Sequence, residues 1–200
     1  MKKSKIDTAD TRRRILSTAS RLFLQNGLAE TGIANIMSAA GLTQGGFYRH
    51  FDSKDQLIAE ANIAANDQMF DYYAVAVAGK QPREALDLVV HLYLNQSLGE
   101  APDWLCPLPN LGSELRHSDP KVRSIAMDGY QRLVSFFTTL TTAIGVAEPA
   151  LIADAIVATM VGAVMLSKLA IVPATAHSIL DNTKLAVNAL LQPATDATAA

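Results

Sequence analysis

Proline is missing from the first 81 of the 200 residues, and all eight prolines lie at Pro82 or later. The early part of the chain can therefore run as helices punctuated by glycine alone, and the change of composition near Pro82 suggests two regions. Cysteine occurs once, as Cys106, so no intrachain disulfide is possible. A chain of this length buries enough apolar surface to need no disulfide or metal staple. The amino-terminal lysines are followed by Asp7, Asp10 and Arg12 to Arg14 instead of an apolar signal core, which points to the cytoplasm. Charge is sparse, at 18% of residues against an apolar share of 50%; this excludes intrinsic disorder and suggests surface hidden in an oligomer. Enzyme signatures are missing too. There is no phosphate loop, no GxSxG elbow, no HExxH and no paired metal-ligand spacing, and His50, His91, His117 and His177 are scattered. The chain is expected to be no enzyme and to carry neither cofactor nor metal.

What is present starts with an apolar run, Ala155 to Leu166, bracketed by Asp154 and Lys168. A bilayer span takes about 20 apolar residues, so the run reads as a helix buried between subunits and no membrane partner is expected. Charge is divided unevenly. Residues 1–60 hold nine Lys or Arg against six Asp or Glu, a net of +3, and the remainder holds eight against thirteen, a net of −5. The basic end is the candidate for a polyanion partner.

Periodicity makes the whole chain all-α. Ile15, Leu16, Ala19, Leu22 and Phe23 share one face of a helix over about 11–26, which Gly27 ends in the left-handed conformation. Thr31, as N-cap candidate, and Gly41 bound a short helix with Ile33, Ile36, Met37 and Ala40 on its apolar side. Thr43 can cap another short helix running to His50, and Ser53 with Gln56 has the spacing of a capping box for a long helix reaching Val77. Leu86, Val89, Val90, Tyr93 and Leu94 share a face beyond Pro82. Pro102, Pro107 and Pro109 then break the chain into a loop around Trp104 and Cys106. Asp119–Pro120 starts a helix that Gly145 stops, and two more follow over about 149–171 and 175–191. No stretch alternates as a half-buried strand does, and only the tail 193–200 looks disordered.

Two short helices joined by a turn containing Gly41, within a three-helix unit carrying the basic residues, describe a helix-turn-helix over about 31–50. Its apolar sides bury the inner face of the third helix and leave the outer face free to enter a major groove. Thr43, Gln44, Arg49 and His50 are then available for base edges or phosphates, Gln being able to pair bidentately with adenine. Thr31 is counted with them. Gly45 and Gly46 each cost roughly 1 kcal/mol relative to Ala in a helix, which fits either a close approach of backbone to DNA or a loose loop. Tyr48 and Lys54 stand where a hydroxyl and a helix N-terminus can hold phosphates.

The stretch GLAETGIANIMSAAGLTQGGFYRHFDSKDQL resembles the tetracycline repressor-like (TetR-type) family of bacterial regulators. The matching positions are Gly27, Ile36, Ala39 to Leu42, Gly45 or Gly46, Phe47, Tyr48, His50, Phe51, Ser53, Lys54 and Leu57. Met37 departs, standing where the family usually has alanine. The resemblance implies a DNA-binding domain over 9–69 and a helical ligand-binding and dimerisation domain over 70–192. It further implies a homodimer through the last two helices, a near-palindromic double-stranded DNA operator and a small-molecule effector whose binding releases repression. Gly162 and Ala163 offer close contact in such a dimer. The segment WLCPLPNLGSEL is similar to a Cys-Pro-Leu loop in one branch of the family.

Met69, Tyr73, Tyr93, Trp104, Cys106, Met127, Tyr130 and Phe137 are the large, adaptable side chains suited to an effector cavity, and no more than about half are expected to line one. His91 can add a polar contact. Cys106 admits a second role, as a thiol sensor of electrophiles or oxidants in a module that activates or does not repress. The remaining rival is a ligand-carrying module whose helix-turn-helix no longer reads an operator.

Overall fold

The computed structural model describes residues 5–95 and 106–192. Trp104 and the tail 193–200 lie outside the described residues. Within them the elements are all helical: α1 (Lys5–Asn26), α2 (Ile33–Ala39), a 3₁₀ turn (Gln44–Arg49), α3 (Lys54–Val77), α4 (Pro82–Asn95), α5 (Pro107–Leu115), α6 (Pro120–Ile144), α7 (Pro149–Leu169) and α8 (Pro173–Leu190).

The chain forms two compact units. The first contains α1, α2, the 3₁₀ turn, α3 to Phe70, α5 and α6 to Gly129; the second contains α3 from Asp71, α4, α6 from Tyr130, α7 and α8. α5 and the start of α6 are grouped with the N-terminal helices. Their apolar side chains are the reason. Leu111, Leu115, Val122 and Ala126 join Ile15, Phe23, Ile36, Met37, Phe47, Phe51 and Leu57 in one buried cluster. Each of these side chains larger than alanine contributes roughly 1.5–3 kcal/mol when fully buried.

Local chemistry explains most of the element ends. The turn after α2 closes with Leu42 N–H donating to Met37 O (2.8 Å) and Gly41 N–H to Ser38 O (2.9 Å). This is the paired C-terminal motif that needs a left-handed residue, and Gly41 supplies φ +66°. Half of the capping box forms at α3: Gln56 N–H donates to Ser53 Oγ (3.0 Å), while Gln56 Oε1 accepts from Asp52 N–H (2.6 Å), one residue before the N-cap. At α6, Lys121 N–H donates to Asp119 Oδ1 (2.8 Å).

Three local expectations are corrected. Thr31 does not cap α2, whose N-cap is Gly32; the Thr31 hydroxyl instead donates to Gly27 O (2.7 Å) and Leu22 O (3.3 Å) and is buried. Thr43 occupies the N-cap of the 3₁₀ turn without a side-chain capping bond. The segment after Cys106 is not a loop but α5, with Cys106 as N-cap and Pro107 at its first position. Prolines in a first helical turn remove N–H groups that have no helical partner anyway.

In the second unit α4, α7 and α8 pack together around Leu86, Val89, Tyr93, Ile156, Val157, Met160, Val164, Leu180 and Val187. Among the described helices α7 alone is long and apolar enough to cross a bilayer. Two opposed stripes account for its composition. Ala153, Ile156, Val157, Met160, Ala163, Val164 and Ser167 are buried. On the opposite side Leu151, Ala155, Ala158, Gly162, Met165 and Leu169 recur at alternating steps of four and three, the spacing of a coiled-coil seam, and Leu151, Met165 and Leu169 stand exposed.

Candidate nucleic-acid interface

The 3₁₀ turn is held from beneath by two phenylalanines. Phe47 and Phe51 are buried with rings stacked at 5.7 Å, and Tyr48 meets Phe47 edge-on at 5.1 Å. Gly46 N–H donates to Thr43 O (3.0 Å) and His50 N–H to Phe47 O (2.8 Å), the i+3 pattern of a tighter helix. The expected short α-helix over 43–50 therefore appears as a 3₁₀ turn, as two adjacent glycines disfavour regular α-helix.

Met37, the departure from the family pattern, fills this space. Its side chain is buried, and its Cε lies 3.6 Å from where a Cβ on Gly46 would stand. That is an ordinary van der Waals distance, so packing does not require glycine at position 46. Nor does it at Gly45, where a Cβ meets nothing within 4 Å.

Thr43, Gln44, Gly45, Tyr48 and Arg49 are exposed together on the outer side of the turn, Tyr48 at 69%. His50 is half-buried; with Thr8, Thr11, Met37, Leu42, Thr43, Gly46 and Arg49 it lines a cavity of 280 Å³. Two expected DNA contacts are placed otherwise. Thr31 lies in the core as described, and the Lys54 ammonium donates to Leu28 O at 2.6 Å, tying α3 to the α1–α2 joint.

Sequence reasoning missed Arg12. Its Nη2 pairs with Glu60, its Nε donates to His50 O (3.3 Å), and its guanidinium lies 4.5 Å over the Phe51 ring. Gln56 Nε2 also donates to Glu60 (3.0 Å). Arg12 thereby fixes the end of the recognition turn to α1 and α3. Its spacing of 48 residues from Glu60 left no local signal.

The effector candidates divide. Met69, Tyr73, Tyr93, Cys106 and Phe137 are buried. Tyr73 lies 6.2 Å from Phe136, which meets Phe137 edge-on at 5.8 Å, an aromatic cluster that adds Phe136 to the predicted set. His91 and Met127 are exposed, Met127 at 53%, because they fall on the outward sides of α4 and α6; neither lines an interior surface. Tyr130 donates to Asp154 Oδ1 at 2.7 Å. Burial, then the hydrogen bond and the negative charge of Asp154, push its phenol up to about 12. Among the described residues no group of His, Cys, Asp or Glu is arranged to hold a metal ion.

Comparison with known proteins converges on this geometry. The profile of bacterial regulatory proteins of the tetR family matches residues 15–61. The chain is 42% identical over 59 residues to the transcriptional regulator AcrR of Shigella flexneri, covering 30% of this chain and 27% of that protein. It is 30% identical over 94 residues to the regulator TtgR of Pseudomonas putida, covering 47% and 44%. These matches span less than half the length of the curated relatives. The crystal structure of a TetR transcriptional regulator from Chloroflexus aurantiacus superposes with a TM-score of 0.76 at 28% identity, covering 90% of this chain and 96% of that one. The N-terminal unit thus carries the sequence profile of the tetR family of bacterial regulatory proteins, and the all-helical fold of the chain is similar to that of a TetR transcriptional regulator.

Proposed function

We propose that this protein is a ligand-responsive transcriptional repressor that binds a near-palindromic operator as a homodimer in the bacterial cytoplasm. The observation that carries this reading is the outer side of the recognition turn. Thr43, Gln44, Tyr48 and Arg49 stand exposed there on a platform of buried Phe47 and Phe51, and Gly45 is a glycine that the fold itself does not require. Gln44 and Arg49 read base edges, Thr43 and Tyr48 hold phosphates, and the backbone at Gly45 approaches the duplex closely. His50 supports this face from its half-buried position.

The outward stripe of α7, joined by α8, forms the contact between two copies, which sets two recognition turns about one helical repeat of DNA apart. A small apolar effector held near Tyr73, Tyr93 and Phe137 in the second unit favours the conformation that binds DNA poorly. A coupling of about 1–3 kcal/mol corresponds to release by roughly 5- to 150-fold. No cofactor or metal enters this scheme. Cys106 is fully buried, whereas a reactive thiol needs access to its oxidant, so the thiol-sensor alternative gains no support.

The test is a gel-shift titration against DNA upstream of the protein's own gene, repeated with random competitor. A complex that survives competitor supports the regulator reading. Equal binding to both sequences, or none, overturns it.

A further inference from the structure

The joint between α1 and α2, Gly27 to Thr31, is gripped from α5. Ala29 N–H donates to Glu114 Oε2 at 2.8 Å, and Glu114 Oε1 lies 2.6 Å from where a Cβ on Gly27 would stand. A Cβ there would push the carboxylate aside, and glycine takes φ +85° at this point without strain. From the other side the Lys54 ammonium donates to Leu28 O at 2.6 Å. A carboxylate from α5 and an ammonium from α3 thus hold the N–H and the C=O of one peptide group, Leu28–Ala29, within the joint. Glu114 is aimed by the helix that carries it, because Leu111 and Leu115 on α5 are buried in the same cluster as Phe23 and Leu28.

From these contacts we propose that Glu114 is a positioning residue for DNA recognition. It fixes the angle at which α2 leaves α1 and, through Met37 against Gly46, the seating of the recognition turn. This inference rests on the regulator reading above. Releasing the clasp leaves the core intact but lets the joint sample other angles, so that binding must order it again. Glu114 touches no base or phosphate in this role.

The full-length protein, Glu114→Ala and Glu114→Gln are titrated by fluorescence anisotropy with a duplex from upstream of the gene and with a random duplex of equal length. Glu114→Ala is expected to bind the upstream duplex roughly five- to tenfold more weakly, the scale of one lost solvent-exposed hydrogen bond, with less than a twofold change on random DNA. Its salt dependence stays that of the wild type, since no phosphate contact is removed. Glu114→Gln, whose amide oxygen accepts the same N–H, stays within about twofold. Wild-type affinity in Glu114→Ala, equal losses in Gln and Ala, or a salt slope reduced by about one overturns the proposal. Amide exchange at Ala29 tests the clasp without DNA: faster exchange there in Glu114→Ala, with the α3 amides unchanged, supports it, and unchanged exchange at Ala29 overturns it. Should the wild type fail to prefer its upstream DNA, the regulator reading falls, and the exchange result still decides whether the clasp exists.

Discussion

Replacing Gly162 by leucine separates the stability of the subunit from that of the proposed dimer, because the two are expected to respond in opposite directions. Gly162 lies mid-helix on the outward stripe of α7, and a Cβ there meets nothing within 4 Å in its own subunit. Leucine is a better helix former than glycine by roughly 0.8–1 kcal/mol, so the isolated subunit is expected to gain up to about that amount. Across a two-fold interface the same side chain enters the partner's stripe, and each residue of such an interface counts twice. Overpacking costs typically 1–3 kcal/mol per site, giving about 2–6 kcal/mol for the pair and a dimer Kd raised roughly 30-fold to 10⁴-fold. Sedimentation velocity over a dilution series reads the Kd, and thermal unfolding of the dilute protein reads the subunit. An unchanged Kd refutes the assignment of this stripe to the dimer. A less stable monomer refutes the claim that the stripe is free of contacts within its own chain.

Three further outcomes are expected. Arg12→Ala loses charge-assisted bonds worth about 1.5–3 kcal/mol, discounted because the side chains of Arg12 and Glu60 are 35% and 27% exposed; urea unfolding should show a loss of about 1–2 kcal/mol, with weaker operator binding. Gly45→Ala should raise the unfolding free energy by roughly 0.5–1 kcal/mol while weakening DNA binding, and unchanged affinity would count against close approach of the backbone there. The phenol of Tyr130, raised from 10.0 to about 12, should ionise late in an absorbance titration and earlier in Asp154→Asn. A raised phenol pKa favours the neutral form in the folded protein. Its contribution is therefore complete below pH 10 and disappears as pH climbs toward 12.

Helix ends written in local chemistry were legible in the sequence. Gly27 takes the left-handed conformation expected of it, Gly41 ends α2 in the same conformation, and Ser53 and Asp119 cap as their positions predict. What escaped were side chains whose partners lie far along the chain. Thr31 has the look of an N-cap, yet its hydroxyl turns back to Gly27 O and Leu22 O. Lys54 has the look of a phosphate ligand, yet it meets Leu28 O, 26 residues away. Arg12 and Glu114 find partners 48 and 85 residues distant, and no periodicity encodes such pairings. Prolines misled at α5 for a different reason: two of them in a first turn initiate a helix as readily as they break one.

Building the recognition surface as one short turn pinned by Phe47 and Phe51 has an evolutionary corollary. Gln44 and Arg49 project from the turn without belonging to its buried cluster, so under the proposed function exchanging them is expected to change the preferred operator at little expense to folding. Drift in target sequence and persistence of the scaffold are thereby uncoupled, and a duplicated copy can acquire new genes to control by altering a few outward side chains while the aromatic platform stays as it is.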